Sequence, residues 1–148
     1  GHRLVDLQER WDRDVLAHNP TRVSIAIGIN DTWRRYDDND PTTVEDFEAN
    51  YRDVLDRTLE LGPVELVLCE PFLLNVQPEM AGWREDLNPK IDVVHRLAAE
   101  YGARLVPFDQ HLNALTDDLP MEAIADDGIH PSVVGHREMA ELWMSTAL

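Results

Sequence analysis

Residues 20–31 read Pro20-Thr21-Arg22-Val23-Ser24-Ile25-Ala26-Ile27-Gly28-Ile29-Asn30-Asp31. Within them Val23–Ile29 is a short apolar run, closed by Pro20 on one side and Asn30-Asp31 on the other, the pattern of a buried strand. Upstream, Leu4, Leu7, Trp11 and Val15 recur at helical spacing with charged residues opposite. This predicts a helix over Arg3–Leu16, stopped by Asn19-Pro20. Downstream, Asn30 to Thr42 reads as a polar loop that carries Trp33 and Tyr36. Val44, Phe47, Tyr51, Leu55 and Leu59 then form the apolar stripe of a helix over Thr43–Leu61, with Thr42 and Glu45 at capping-box spacing and Gly62-Pro63 as its stop.

The alternation repeats to the end of the chain. Val64–Glu70 is a second apolar strand, followed by a proline-rich loop from Pro71. Leu87, Ile91, Val94 and Leu97 predict a helix over Trp83–Tyr101; Pro89 either kinks it or follows an Asn88 cap. Ala103–Phe108 reads as a third strand, Gln110–Leu115 as a short helix, and a last helix starts after Pro131 with Val134, Met139, Leu142 and Trp143 inward. The order α-β-α-β-α-β-α predicts a single α/β domain with a parallel sheet, although three strands are few for a doubly wound one.

Composition narrows the function. With 43% apolar and 28% charged residues over 148, the chain has the makings of a soluble globular domain rather than a disordered one. No apolar run approaches a membrane span, and Gly1–Arg10 lacks an apolar leader core, which points to a cytoplasmic location. The net charge of −16 argues against nucleic-acid or anionic-membrane partners, which demand a basic surface. Cys69 is the one cysteine; an intrachain disulfide is excluded, and its strand setting makes it a small buried hydrophobe. His2, His18, His95 and His111 show no metal-ligand spacing. Asp37-Asp38-Asn39-Asp40 lacks the glycine and alternation of a calcium loop and reads as a solvated acidic turn.

Two clusters carry chemistry. Gly28-Ile29-Asn30-Asp31 sits at the carboxyl end of the first strand, where open α/β sheets bind ligands. An Asn there can aim a side-chain N–H at a developing oxyanion; the bland alternative is a strand-closing turn. Asp127-Gly128-Ile129-His130-Pro131 precedes the last helix. An Asp three residues before a His can hold Nδ1–H and free Nε2 as a base, with the intervening Gly letting the loop turn. Its bland alternative is a turn Asp beside a surface His.

Together these clusters, about a hundred residues apart in an α/β chain, resemble the SGNH (GDSL-type) serine ester hydrolases, whose blocks carry Ser, Gly, Asn and His in that order. Ile27–Asp37 and Asp127–His136 look closest to the branch of acetylxylan esterases and carbohydrate deacetylases. The resemblance implies a flavodoxin-like three-layer α/β/α fold. It implies Asp127 and His130 as catalytic residues, Gly1 and Asn30 as oxyanion-hole donors, and Trp33 and Arg34 at the substrate pocket. The substrate would be a small acyl ester or acetylated sugar, with no metal or organic cofactor; a homo-oligomer is compatible with it. No Gly-Asp-Ser tripeptide occurs, and Ser24, Ser132 and Ser145 lack the setting of the nucleophile. The expectation is therefore that the first one or two strands, with the serine, lie upstream of Gly1. Its rivals are a non-catalytic binding module of the same fold, or a lysophospholipase or thioesterase of the superfamily.

Overall fold

Three short apolar segments build the sheet: β1 (Arg22–Ala26), β2 (Glu65–Cys69) and β3 (Arg104–Val106), parallel and in that spatial order, in a computed structural model that describes all 148 residues. Val23 pairs with Leu66 and Ile25 with Leu68, while Leu68 pairs with Leu105 on the other side. The helices are α1 (Leu4–Asp14), α2 (Ile29–Asp37), α3 (Val44–Leu59), α4 (Arg84–Glu100), α5 (Phe108–Ala114), α6 (Met121–Ile124) and α7 (Val133–Ala147). No helix is long and apolar enough to cross a membrane.

Strand alternation sends side chains to both faces. One face packs Val23, Ile25, Leu66 and Leu68 against Leu4 and Trp11 of α1, Phe47, Tyr51 and Leu55 of α3, and Val94 and Leu97 of α4. Trp11 Nε1 donates to Thr58 Oγ1 at 2.9 Å, which ties α1 to α3 without an orphaned indole N–H. On the other face Val67, Cys69 and Val106 meet Phe108 and, from α7, Met139, Leu142, Trp143 and Ala147. The result is the expected three-layer α/β/α arrangement. β2 is covered on both faces and reads almost continuously apolar, as inner parallel strands do. β1 pairs only with β2; Val23 and Ile25 are buried while Ser24 and Ala26 are exposed.

The structure departs from the sequence reading at several points. Residues 30–42 are not a loop throughout, because Ile29–Asp37 form α2. Two positions this helix buries are Asp31 and Thr32, so apolar periodicity had nothing to register there. The cap of α3 is Thr43, whose Oγ1 accepts the Asp46 N–H at 3.0 Å, and not Thr42. Of the two readings of Pro89 the structure takes the one that keeps it within the helix: it lies in the second turn of α4, with no start at Asn88. The short helix after β3 begins at Phe108 rather than Gln110, and α6 was not anticipated. The strands are also shorter than their apolar runs.

Phe47 is fully buried where α3 meets the sheet, whereas Leu59 at the end of α3 is 38% exposed. Phe47→Ala should cost about 3–5 kcal/mol and Leu59→Ala less than about 1 kcal/mol, read from urea-denaturation midpoints.

Candidate active site

β1 ends at Ala26 and the chain reverses at Gly28, whose φ of +129° no other residue adopts readily. A Cβ there would stand 3.0 Å from Pro71 Cγ and 3.2 Å from Phe47 Cζ, so the turn is tight as well as left-handed. It launches α2 at the carboxyl end of the sheet and places Asn30 in the first turn. Asn30 Nδ2 donates to the His2 carbonyl at 3.0 Å. A side-chain amide has two N–H groups, so this bond orients Asn30 and leaves the second for another acceptor. The segment before α1 is held on α2 by the Leu4 N–H, which donates to Asp31 at 3.1 Å, and Gly1 lies against the Arg34 guanidinium.

The second cluster occupies the connection from α6 to α7. Gly128, at φ +83°, faces the Leu74 carbonyl oxygen, which would stand 2.3 Å from an added Cβ. Its own carbonyl accepts the Leu74 N–H at 2.9 Å. The loop so held lets Asp127 Oδ1 accept the N–H groups of Ile129 (3.0 Å) and His130 (2.8 Å), while Oδ2 lies 2.6 Å from His130 Nδ1. Burial pulls the Asp127 carboxyl upward, but the hydrogen bonds from the His130 ring and the two backbone N–H groups outweigh it, and the group stays below its ordinary value. The carboxylate therefore fixes the imidazole tautomer with Nδ1–H as donor, and Nε2 points away with its lone pair. His130 is 68% exposed. Ser132 caps α7 through the Val134 and Gly135 N–H groups and donates to the Ala123 carbonyl.

Trp33 links the clusters. It stands one helical turn after Asn30, and its ring meets the His130 imidazole edge-on at 5.9 Å. The Arg34 guanidinium lies 5.5 Å from the Trp33 ring centroid and pairs with Asp37 and Asp38. Both residues are thus on α2 rather than on a loop. Asp126 is exposed, and the partner of His130 is Asp127; His136 is exposed on α7. Ser24, Ser132 and Ser145 are all held in structural hydrogen bonds, with Trp143, the α7 cap and the Leu142 carbonyl respectively. No three or more His, Cys, Asp and Glu side chains gather into a metal-binding group.

Beneath α2 lies a polar cluster that sequence reasoning missed. Lys90 is fully buried, ion-paired with Asp86, and 3.5 Å from Thr32 Oγ1; Asp86 also takes Arg35 at 3.1 Å. Its signal was present: Lys90 is the only lysine, set at i+4 from Asp86 between the apolar positions Leu87, Ile91 and Val94. Burial pushes the Asp31 carboxyl up to about 6, against the downward pull of the Leu4 N–H and the Lys90 and Arg3 charges.

Comparison with known proteins adds the following. The profile of the GDSL-like Lipase/Acylhydrolase family matches residues 1–138. An acetylxylan esterase of Geobacillus stearothermophilus is 34% identical over 152 residues, spanning 97% of this chain and 67% of that protein. Among solved structures, a Parabacteroides merdae protein assigned as a GDSL-like lipase superimposes with a TM-score of 0.92 at 33% identity. The acetylxylan esterase Axe2 of Geobacillus stearothermophilus does so with a TM-score of 0.87 at 32% identity. Both matches cover 97% of this chain and 67% of the other. Three further Axe2 structures are described as catalytic mutants, with alanine at a serine, an aspartate or a histidine, the last two standing three residues apart.

Two consequences can be measured. Gly128→Ala combines a disfavoured φ with a clash against backbone and should lose more than about 2 kcal/mol of stability in chemical denaturation. Asp31, raised from 3.8 to about 6 on folding, contributes stability that is complete below pH 4 and lost as pH rises through 6. Asp31→Asn keeps an acceptor for the Leu4 N–H but does not ionise. Its stability relative to the wild type should therefore rise between pH 4 and 6, by about 3 kcal/mol at most.

Proposed function

The chain belongs to the GDSL-like lipase/acylhydrolase family, and on that premise we propose that it hydrolyses small acyl esters, acetylated carbohydrates foremost, through a serine, His130 and Asp127. The observation that carries the reading is the 2.6 Å contact of Asp127 Oδ2 with His130 Nδ1, made by an aspartate whose other oxygen is already fixed by two backbone N–H groups. A surface histidine needs no such anchoring; a general base does, because its tautomer and aim must be set before the substrate arrives. The acetylated-sugar preference follows from the relatives named acetylxylan esterase.

In this reading the nucleophile is a serine supplied outside residues 1–148. Its hydroxyl oxygen attacks the ester carbonyl carbon as its proton passes to His130 Nε2, and Asp127 stabilises the imidazolium that forms. The free N–H of Asn30 and the Gly1 backbone N–H bind the oxyanion. Collapse breaks the bond to the leaving alkoxide, which takes the proton from His130. Water then attacks the acyl-serine, His130 again accepting its proton; the bond to the serine oxygen breaks as that oxygen takes the proton from His130, and the carboxylic acid leaves and ionises. Trp33 and Arg34 border the pocket.

The test is hydrolysis of p-nitrophenyl acetate by the protein carrying its serine block. His130→Ala should lower kcat by about 10⁴-fold or more, and Asn30→Ala by about 10²–10³-fold. Equal rates for the wild type and His130→Ala would remove the assignment and leave a non-catalytic module. In a series of esters from acetyl to octanoyl, activity should be highest at acetyl; a longer optimum would favour a lysophospholipase or thioesterase.

A further inference from the structure

The stretch ahead of α1 is held to α2 by two bonds of opposite polarity. Asn30 Nδ2 donates to the His2 carbonyl at 3.0 Å, and the Leu4 N–H donates to Asp31, 3.1 Å from Oδ2 and 3.4 Å from Oδ1. The gripping residues are neighbours on α2, and the gripped ones lie two apart in the chain. One hydrogen bond is a pivot about which a segment can swing. Two, made by adjacent residues of a helix, fix its direction as well as its distance. Gly1 is joined directly to the gripped His2 and lies against the guanidinium of Arg34, one turn beyond Asn30 on α2.

Capping of α1 does not account for Asp31. That end already has an acidic partner, since Asp6 Oδ2 accepts the Arg3 N–H at 2.7 Å, and an uncharged side-chain acceptor would serve the Leu4 N–H as well. Stability does not account for it either. Asp31 is 1% exposed, and burial pushes its carboxyl up to about 6 in spite of the nearby Lys90 and Arg3 charges. A group that is costly to bury, yet holds one segment in one place, is characteristic of sites whose rate depends on placement.

We infer that Asp31 is a positioning residue for the oxyanion hole: through the Leu4 N–H it holds the segment that presents the Gly1 N–H against the helix that presents Asn30. The inference rests on the ester-hydrolase reading and deepens it. Asp31 touches neither substrate nor reacting atoms; it sets the separation of two donors that do. Such donors act once charge has developed on the carbonyl oxygen, so their misplacement lowers kcat and leaves KM nearly alone.

The experiment follows p-nitrophenyl acetate hydrolysis by the protein carrying its serine block, in the wild type, Asp31→Ala and Asp31→Asn. The rate is counted per serine labelled by a fluorophosphonate, so that misfolded molecules are left out. Asp31→Ala should lower kcat by about 10–100-fold, short of the loss in Asn30→Ala, with KM within about twofold of the wild type. Asp31→Asn retains an acceptor for the Leu4 N–H and should recover most of that loss. In amide exchange the Leu4 N–H should open faster in Asp31→Ala, and the N–H groups of Ile129 and His130 should be unmoved. A kcat per labelled serine equal to the wild type's in Asp31→Ala, with or without fewer labelled serines, makes Asp31 merely structural and overturns the inference. So does a loss that Asp31→Asn shares in full, or one carried by KM. If the wild type itself hydrolyses no ester, the hydrolase reading fails and the inference falls with it, an outcome distinct from an active wild type indifferent to Asp31.

Discussion

Where Gly128 passes Leu74 there is no room for a side chain: the carbonyl oxygen would lie 2.3 Å from a Cβ, and the Leu74 N–H donates back to the Gly128 carbonyl at 2.9 Å. The geometry of Asp127 and His130 depends on this contact, because it joins their loop to the connection between β2 and α4. That connection is itself braced. Asp109 on α5 accepts the Leu73 N–H at 3.0 Å and pairs with Arg84 at the start of α4, and Asn113 donates to the Leu73 carbonyl at 3.2 Å. The imidazole thus borrows rigidity from two helices although it sits on a loop. Under the proposed role of His130 such support matters, because small misplacements of a reacting group are costly in rate.

On the other side of the site rigidity comes from α2. A helix fixes Asn30 and Trp33 at a constant offset, one turn apart, so the amide and the ring beside His130 cannot drift independently. Ile29 and Trp33 pack it on the core, and beside them its contacts are polar. Lys90 reaches both Asp86 and the Thr32 hydroxyl from a fully buried position, and Asp31 is buried with a hydrogen bond to Leu4. Burying such groups costs several kcal/mol per ion and gives little net stability even when they pair. The contacts that cross between the helices, Lys90 to Thr32 at 3.5 Å and Arg35 to Asp86 at 3.1 Å, are made together only when α2 and α4 sit in one relative position.

These two supports also explain what the sequence could and could not disclose. Strands and packing helices follow apolar periodicity, and VSIAIGI, VELVLCE and the stripe from Val44 to Leu59 were legible because burial there is hydrophobic. The Asp127-to-His130 spacing was legible because it is local. α2 was not, since the side chains it buries include Asp31 and Thr32, and a rule that counts apolar residues sees a loop. The Lys90 cluster was hidden for a related reason: its partners on α2 are distant in sequence, and only the solitary lysine hinted at them. The row of rings from His130 through Trp33 and Trp83 to Tyr36 draws on α2, the turn before α4 and the α6–α7 loop, a convergence no single segment encodes.

Charge completes the picture of what the site can accept. Around it the arginines are already matched: Arg3 with Asp40, Arg34 with Asp37 and Asp38, Arg35 with Asp86, and Arg84 with Asp109. No unpaired guanidinium is left to hold an anion, and the chain as a whole carries −16. A phosphorylated or carboxylated substrate would approach against that field, whereas a neutral ester would not. Hydrolysis of a neutral ester would create a charge where there was none, because the products are a carboxylate and an alcohol. An acidic surface that admits a neutral substrate without attraction would then repel the carboxylate product and so favour its release.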